Sequence, residues 1–306
     1  MAITISFQLQ PGPINYLPYG IDFPTGRTGR FSNGQNMVDI LADLLGFDNP
    51  IPSFATASGL DILKGVNYAS GSSGIRDETG QHLGARINMN NQLLNHQYIE
   101  SGIVNMSGDK ESGAKYLCKS IYTVGITCCN YISNYLLPQL YPTSRLHTPD
   151  QYARVLTQQY SQQLKTLYNY GARKVVLFGL APLGCTLPNI AIDGTNNGSS
   201  LKTLVDDLHN DLQDAEFIFI NIYEIMSSIS TGFRVSDRPC CEVIARNNAN
   251  LVCIPFRIPC ENRDEYLWWD GTHPTEAGNL MVARRSYSSQ FPSDTYTIDM
   301  HGQAQL

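Results

Sequence analysis

"TPDQYARVLTQQYSQQLKTLYNYGARKVVLFGL", residues 148–180, decides the fold. Its first part reads as a long helix over 148–172. Thr148 is a natural N-cap, Pro149 suits the first helical position, where no backbone N–H is needed, and Gly171 ends it. "RKVVLFGL" (173–180) then runs almost without a polar side chain, as a parallel strand covered on both faces does. The order repeats downstream: "LKTLVDDLHNDL" (201–212) is helical and "EFIFINIY" (216–223) is a second buried strand. Upstream, "KSIYTVGI" (119–126) is another such strand. "SNGQNMVDILADLLGF" (32–47) sets Met37, Val38, Ile40, Leu41, Leu44 and Leu45 on one helical stripe, with Gly46 as its stop. A last helix begins near Pro274 and runs through "EAGNLMVARRSY". Helices alternating with buried strands predict an α/β domain of three layers around a mostly parallel sheet. No repeat or low-complexity linker divides the chain, so residues 1–306 are read as a single domain.

Composition narrows the function. Hydrophobic residues make up 42% and charged residues 16% of the 306, the balance of a folded globular protein. A net charge of −6 with no basic run argues against nucleic acid as a partner, and no apolar run reaches transmembrane length. "MAITISFQLQ" at the start has neither the basic nor the apolar segment of a signal peptide. The cysteines point to an oxidising compartment instead. Five of the eight are Cys185, Cys240, Cys241, Cys253 and Cys260, and disulfides are expected in the 240–260 region. Asn105-Met106-Ser107 and Asn197-Gly198-Ser199 are glycosylation triplets, a pattern common by chance.

Chemistry concentrates in "EYLWWDGTHPTEAGN" (265–279). Asp270 and His273 stand three apart, just ahead of a helix start. A hydroxyl nucleophile needs a base, His is the usual one near neutrality, and a carboxylate fixes its tautomer and stabilises its charged form. The plain alternative is a helix-capping loop with a surface His. A metal site is the weaker reading, since no third or fourth ligand stands at metal-site spacing, and no cofactor is expected. Chemistry in parallel sheets lies beyond the carboxyl ends of the strands. "TCCN" (127–130), "APLGC" (181–185) and the Asp270–His273 loop should therefore share one crevice.

Four segments sharpen this: "PYGIDFPTGRTGRFSNGQNMVDILADLLGF" (18–47), "GVNYASGSSGIRDETG" (65–80), "NYGARKVVLFGLAPLGC" (169–185) and "NRDEYLWWDGTHPTEAGN" (262–279). In this order they closely resemble the plant GDSL esterase/lipases, a branch of the SGNH hydrolases. The resemblance implies a flavodoxin-like α/β/α sandwich, secretion, and hydrolysis of carboxylic esters of lipids or other small acyl compounds. It implies His273 as base and Asp270 as its orienting acid. Gly71, with Gly74 as the nearby alternative, would supply a backbone N–H to the oxyanion.

Three family features do not carry over. The family's Gly-x-Asn-Asp block reads "ITCCN" here, which sets Thr127 at the Gly, Cys129 at the oxyanion Asn and Asn130 at the Asp. A thiol is a poor substitute for an amide donor. The Gly-Asp-Ser block that should precede "PYGIDFP" is not found, so no nucleophile is identified. Ser6 would come near the site only if "AITISFQL" replaced the first strand. The sheet is accordingly expected to be incomplete at that strand, with unpaired neighbours, unless residues 2–9 fill it. A helix that normally carries a cysteine is also missing after "DGTNNGSS", which would leave Cys185 unpaired. An inactive relative or truncated product that at most binds a ligand is the alternative to a working ester hydrolase.

Overall fold

The long helix and the strand after it form where the sequence places them. In a computed structural model that describes residues 2–5, 14–125, 128–182, 199–246 and 250–306, the strands are β1 (Ala2–Ile5), β2 (Gly65–Asn67), β3 (Ile121–Val124), β4 (Lys174–Phe178), β5 (Glu216–Ile220), β6 (Val235–Pro239), β7 (Val243–Arg246), β8 (Asn250–Cys253), β9 (Tyr266–Trp268) and β10 (Thr295–Tyr296). The α-helices are α1 (Met37–Leu44), α2 (Met89–Ser107), α3 (Lys110–Cys118), α4 (Thr143–Leu146), α5 (Pro149–Asn169), α6 (Ser199–Asp211), α7 (Ile222–Ile229), α8 (Glu276–Tyr287) and α9 (Met300–Gln305). Thr148 caps α5 in a reciprocal box with Gln151, Pro149 opens it, and Gly171 lies just past its end at φ +102°. Asn36 and Asp39 form a second such box on α1.

The main sheet has the order β10-β5-β4-β3-β1-β2. β1 to β5 are parallel, and β10 adds an antiparallel edge to β5. The run β2-β1-β3-β4-β5 is the flavodoxin order, whose switch point lies between β1 and β3. Side chains alternate across it. Tyr122, Val124, Val175, Leu177, Phe217 and Phe219 pack with Leu93 and Ile103 of α2, Leu156 and Leu164 of α5 and Leu204 and Leu208 of α6. Ile121, Val176, Phe178, Ile218 and Ile220 pack with Ile40 of α1, Ile225 of α7, Val282 of α8 and Met300 of α9. Both faces are covered, which is why these strands read as continuous apolar runs.

The expectation of an incomplete first strand is corrected. Ala2–Ile5 lies between β2 and β3, with Ala2 opposite both Gly65 and Ile121 and Ile5 opposite Val124. Its pairing supplies ladder partners to both neighbours, so neither is left with an open edge on that side. A second departure is at "EFIFINIY": the strand stops at Ile220, and Asn221 caps α7 by accepting from Glu224 N–H.

The expected disulfides form as Cys240–Cys260 and Cys241–Cys253. They staple the β7–β8 hairpin to the short parallel pair β6–β9. Each cross-link is worth on the order of 3 kcal/mol for loops of this length. Among the described residues no helix is long and apolar enough to cross a membrane. Ser6, Thr127, Cys185 and Asn197 lie outside the described residues.

Candidate active site

Asp270 and His273 follow β9 in a tight turn. Trp269 N–H donates to the His273 carbonyl at 2.7 Å, which folds the four residues onto themselves. Asp270 Oδ1 accepts the backbone N–H groups of Thr272 (2.9 Å) and His273 (2.8 Å). The same carboxylate faces His273 Nδ1 at 2.9 and 2.8 Å through its two oxygens. Its side chain is fully buried, whereas that of His273 is 26% exposed. The carboxylate is thus locked behind a ring that stays partly exposed.

A third residue holds the carboxylate. Tyr19 Oη donates to Asp270 Oδ2 at 2.6 Å and accepts the N–H of Cys253 at 3.1 Å. Burial first, then the Asp270 charge, pushes the Tyr19 hydroxyl well above its ordinary range, so it stays a neutral donor. Phe31 covers the imidazole, with ring centroids 4.5 Å apart, and also stands edge-on to Tyr19.

The segments that carry the family resemblance bind one another around this turn. Asp22 takes Arg263 in a fork at 2.6 and 2.8 Å. Glu276 accepts Gln35 N–H at 2.9 Å, while its own N–H donates to Asn33 Oδ1 at 2.8 Å. Gly34 leaves room for that carboxylate: a Cβ would stand 2.4 Å from it, and Glu276 would have to shift. Residues 19–36 are therefore the mould in which 262–279 is cast.

The structure separates the two candidate glycines. A Cβ on Gly71 would meet the Phe31 ring at 3.3 Å, so Gly71 lies one side chain from His273. A Cβ on Gly74 would meet Asn130 Oδ1 at 2.4 Å and Thr79 at 2.6 Å, so Gly74 is a packing glycine. Asn130 is buried, and its Oδ1 accepts from Thr79 Oγ1 at 3.2 Å and Arg76 N–H at 3.4 Å. Its carboxamide oxygen is thus committed to the 74–79 loop.

Cys129 lies near the Gly71 loop, and the Ser72 backbone N–H there favours its thiolate, the smallest of the effects on it. Ser72 itself adopts a left-handed backbone, φ +61°. The neighbouring Cys128 thiol, then burial, pushes the Cys129 thiol well up. Cys128 is lowered, first by the neighbouring Cys129 thiol, with burial opposing. Neither Tyr19 nor Phe31 was singled out from the sequence, because their partners are more than two hundred residues away.

The chain matches the family model described as GDSL-like Lipase/Acylhydrolase over residues 13–286. It is similar to three Arabidopsis thaliana proteins: GDSL esterase/lipase At1g29670 (46% identical), At1g29660 (45%) and At5g45670 (43%). The alignments cover 95% of this chain and 85%, 85% and 86% of those relatives. With the parallel sheet, the locked Asp270–His273 turn and these matches together, the chain belongs to the GDSL-like lipase/acylhydrolase family.

Proposed function

We propose that this crevice hydrolyses carboxylic esters of lipids or small acyl compounds, with His273 as general base and Asp270 as its orienting acid. The observation that carries the reading is the buried carboxylate held by Tyr19 and two backbone N–H groups against Nδ1 of His273. That lock fixes the tautomer in which Nδ1 carries the proton and Nε2 accepts one. Nε2 takes the proton of the attacking hydroxyl and then returns it to the leaving alkoxide, so the alcohol departs neutral.

Gly71 N–H is the donor assigned to the developing oxyanion, and Cys129 takes the place of the family's amide. Lacking that amide, the site stabilises the tetrahedral intermediate poorly, and turnover is low for the family. Loss of one such donor costs about 10²–10³ in kcat. The nucleophile is not assigned to any described residue. A ligand-binding relative without turnover is the second reading, and Cys129 at the amide position is what favours it. Secretion fits the two disulfides.

The test uses graded p-nitrophenyl esters and a fluorophosphonate probe on the wild type and His273→Ala. His273-dependent hydrolysis with a single labelled residue, located by mass spectrometry, supports the hydrolase and names its nucleophile. Saturable binding of a non-hydrolysable ester with neither turnover nor labelling supports the second reading instead.

A further inference from the structure

Residues 254–260 form a loop closed at both ends by cystines, Cys253 to Cys241 and Cys260 to Cys240. Its tip, Pro255-Phe256-Arg257-Ile258, is wholly exposed, with Phe256 at 72% and Ile258 at 92%. Phe256 has φ +63°, a left-handed backbone that disfavours any residue with a Cβ. A loop that only had to join two cystines would be better served by glycine there. Strain retained in order to hold an aromatic ring in water points to a use for the ring.

The tip is also rigidly placed. Phe256 N–H donates to the Leu17 carbonyl at 2.8 Å. Leu17 is itself 40% exposed, and Ile244, on the hairpin that carries the loop, is 53% exposed. Cys253, at the base of the loop, donates to Tyr19, which donates to Asp270. The base of the loop is therefore two hydrogen bonds from the acid of the proposed site.

The charge pattern selects the occupant. The single charge on the tip is Arg257, flanked on both sides by apolar side chains. It is 64% exposed and loosely paired to Glu242 at 3.7 Å. Apolar groups that sink below a headgroup layer, with a guanidinium left at phosphate level, match a phospholipid surface. The net charge of −6 opposes a strongly anionic one. We propose that the 254–260 loop anchors the protein to a zwitterionic phospholipid surface. Phe256 and Ile258 enter its apolar zone, and Arg257 exchanges Glu242 for lipid phosphate. The substrates would then be esters presented in that layer rather than free in solution, a consequence that rests on the hydrolase reading.

The experiment is flotation of the full chain with phosphatidylcholine vesicles, wild type against Phe256→Gly/Ile258→Ser. Glycine suits φ +63°, so the variant keeps the loop and its melting temperature. The wild type is expected to float, and the variant to bind on the order of 10²-fold more weakly, from two apolar side chains no longer buried. Leu94→Ser/Tyr98→Ser, which removes two exposed apolar groups from α2 (58% and 73%), should float like the wild type. A wild type that stays off the vesicles, a double variant that floats equally well, or a control that loses binding equally overturns the proposal. So does self-association through Phe256 and Ile258 in place of lipid binding. Flotation needs no turnover, so a chain that floats but hydrolyses nothing keeps the anchor and removes the hydrolase reading.

Discussion

Tyr19→Phe deletes one oxygen from the middle of the lock and nothing else. That oxygen makes two bonds, one given to Asp270 Oδ2 at 2.6 Å and one taken from Cys253 N–H at 3.1 Å, and the side chain is 1% exposed. No solvent reaches the atoms left behind. A hydrogen bond to a charged group is worth about 1.5–3 kcal/mol, and a buried N–H left without its acceptor costs a further ~1 kcal/mol or more. Asp270 keeps His273 and two backbone donors, which limits the damage at its end. The expected loss is about 2–4 kcal/mol, roughly 3–6 °C in Tm for a chain of this size. Thermal and urea melts of the purified variant measure it. In ester hydrolysis kcat should fall roughly tenfold with KM little changed, because Tyr19 acts through the orientation of Asp270 and touches no substrate. A variant within about 0.5 kcal/mol of the wild type, with unchanged kcat, would refute the lock.

Other outcomes follow from single contacts. Cys129→Asn should raise kcat by up to about 10²–10³ by returning an amide donor beside Gly71, and steady-state kinetics will show whether it does. Gly74→Ala should destabilise by about 1–3 kcal/mol, since its Cβ would stand 2.4 Å from Asn130 Oδ1, and a denaturant melt tests this. His96 is buried against Tyr68, and burial lowers its pKa from 6.5 to about 4. Between those values the unfolded chain binds more protons. Stability is therefore lost as pH falls from 6.5 toward 4, by about 1.4 kcal/mol per unit. In His96→Gln that slope should vanish from melts taken across the range.

Much of the sheet was legible because its signals are local. Thr148, Pro149 and Gly171 bracket α5, and the uninterrupted apolar run after them can only be a doubly covered strand. Asp270 and His273 were legible for the same reason, three residues apart in one turn. The strand β1 was not. The run "AITISFQL" leaves it open only as an alternative, because the Gly-Asp that should mark the end of the first strand is not there, and pairing with β2 and β3 is what makes Ala2–Ile5 central. The start of α7 was hidden because "FIFINIY" stays apolar from strand into helix, and the one mark of the change is Asn221, which caps the helix. Tyr19 lies 251 residues from the carboxylate it holds, a distance no pattern spans. Asn130 shows the converse: adjacent in sequence to Cys129, it is turned by the chain toward Thr79 and the 74–79 loop.

The central claim is that the Asp270–His273 turn handles the proton in ester hydrolysis. Its most direct test is the hydrolysis rate of a short-chain p-nitrophenyl ester by the wild type and by His273→Ala, each shown to be folded. A positioned base contributes about 10²–10⁴. The account predicts measurable hydrolysis in the wild type and a loss of at least roughly 10²-fold in the variant. Equal rates in the two proteins, or no hydrolysis by the wild type on any ester tried, would contradict it.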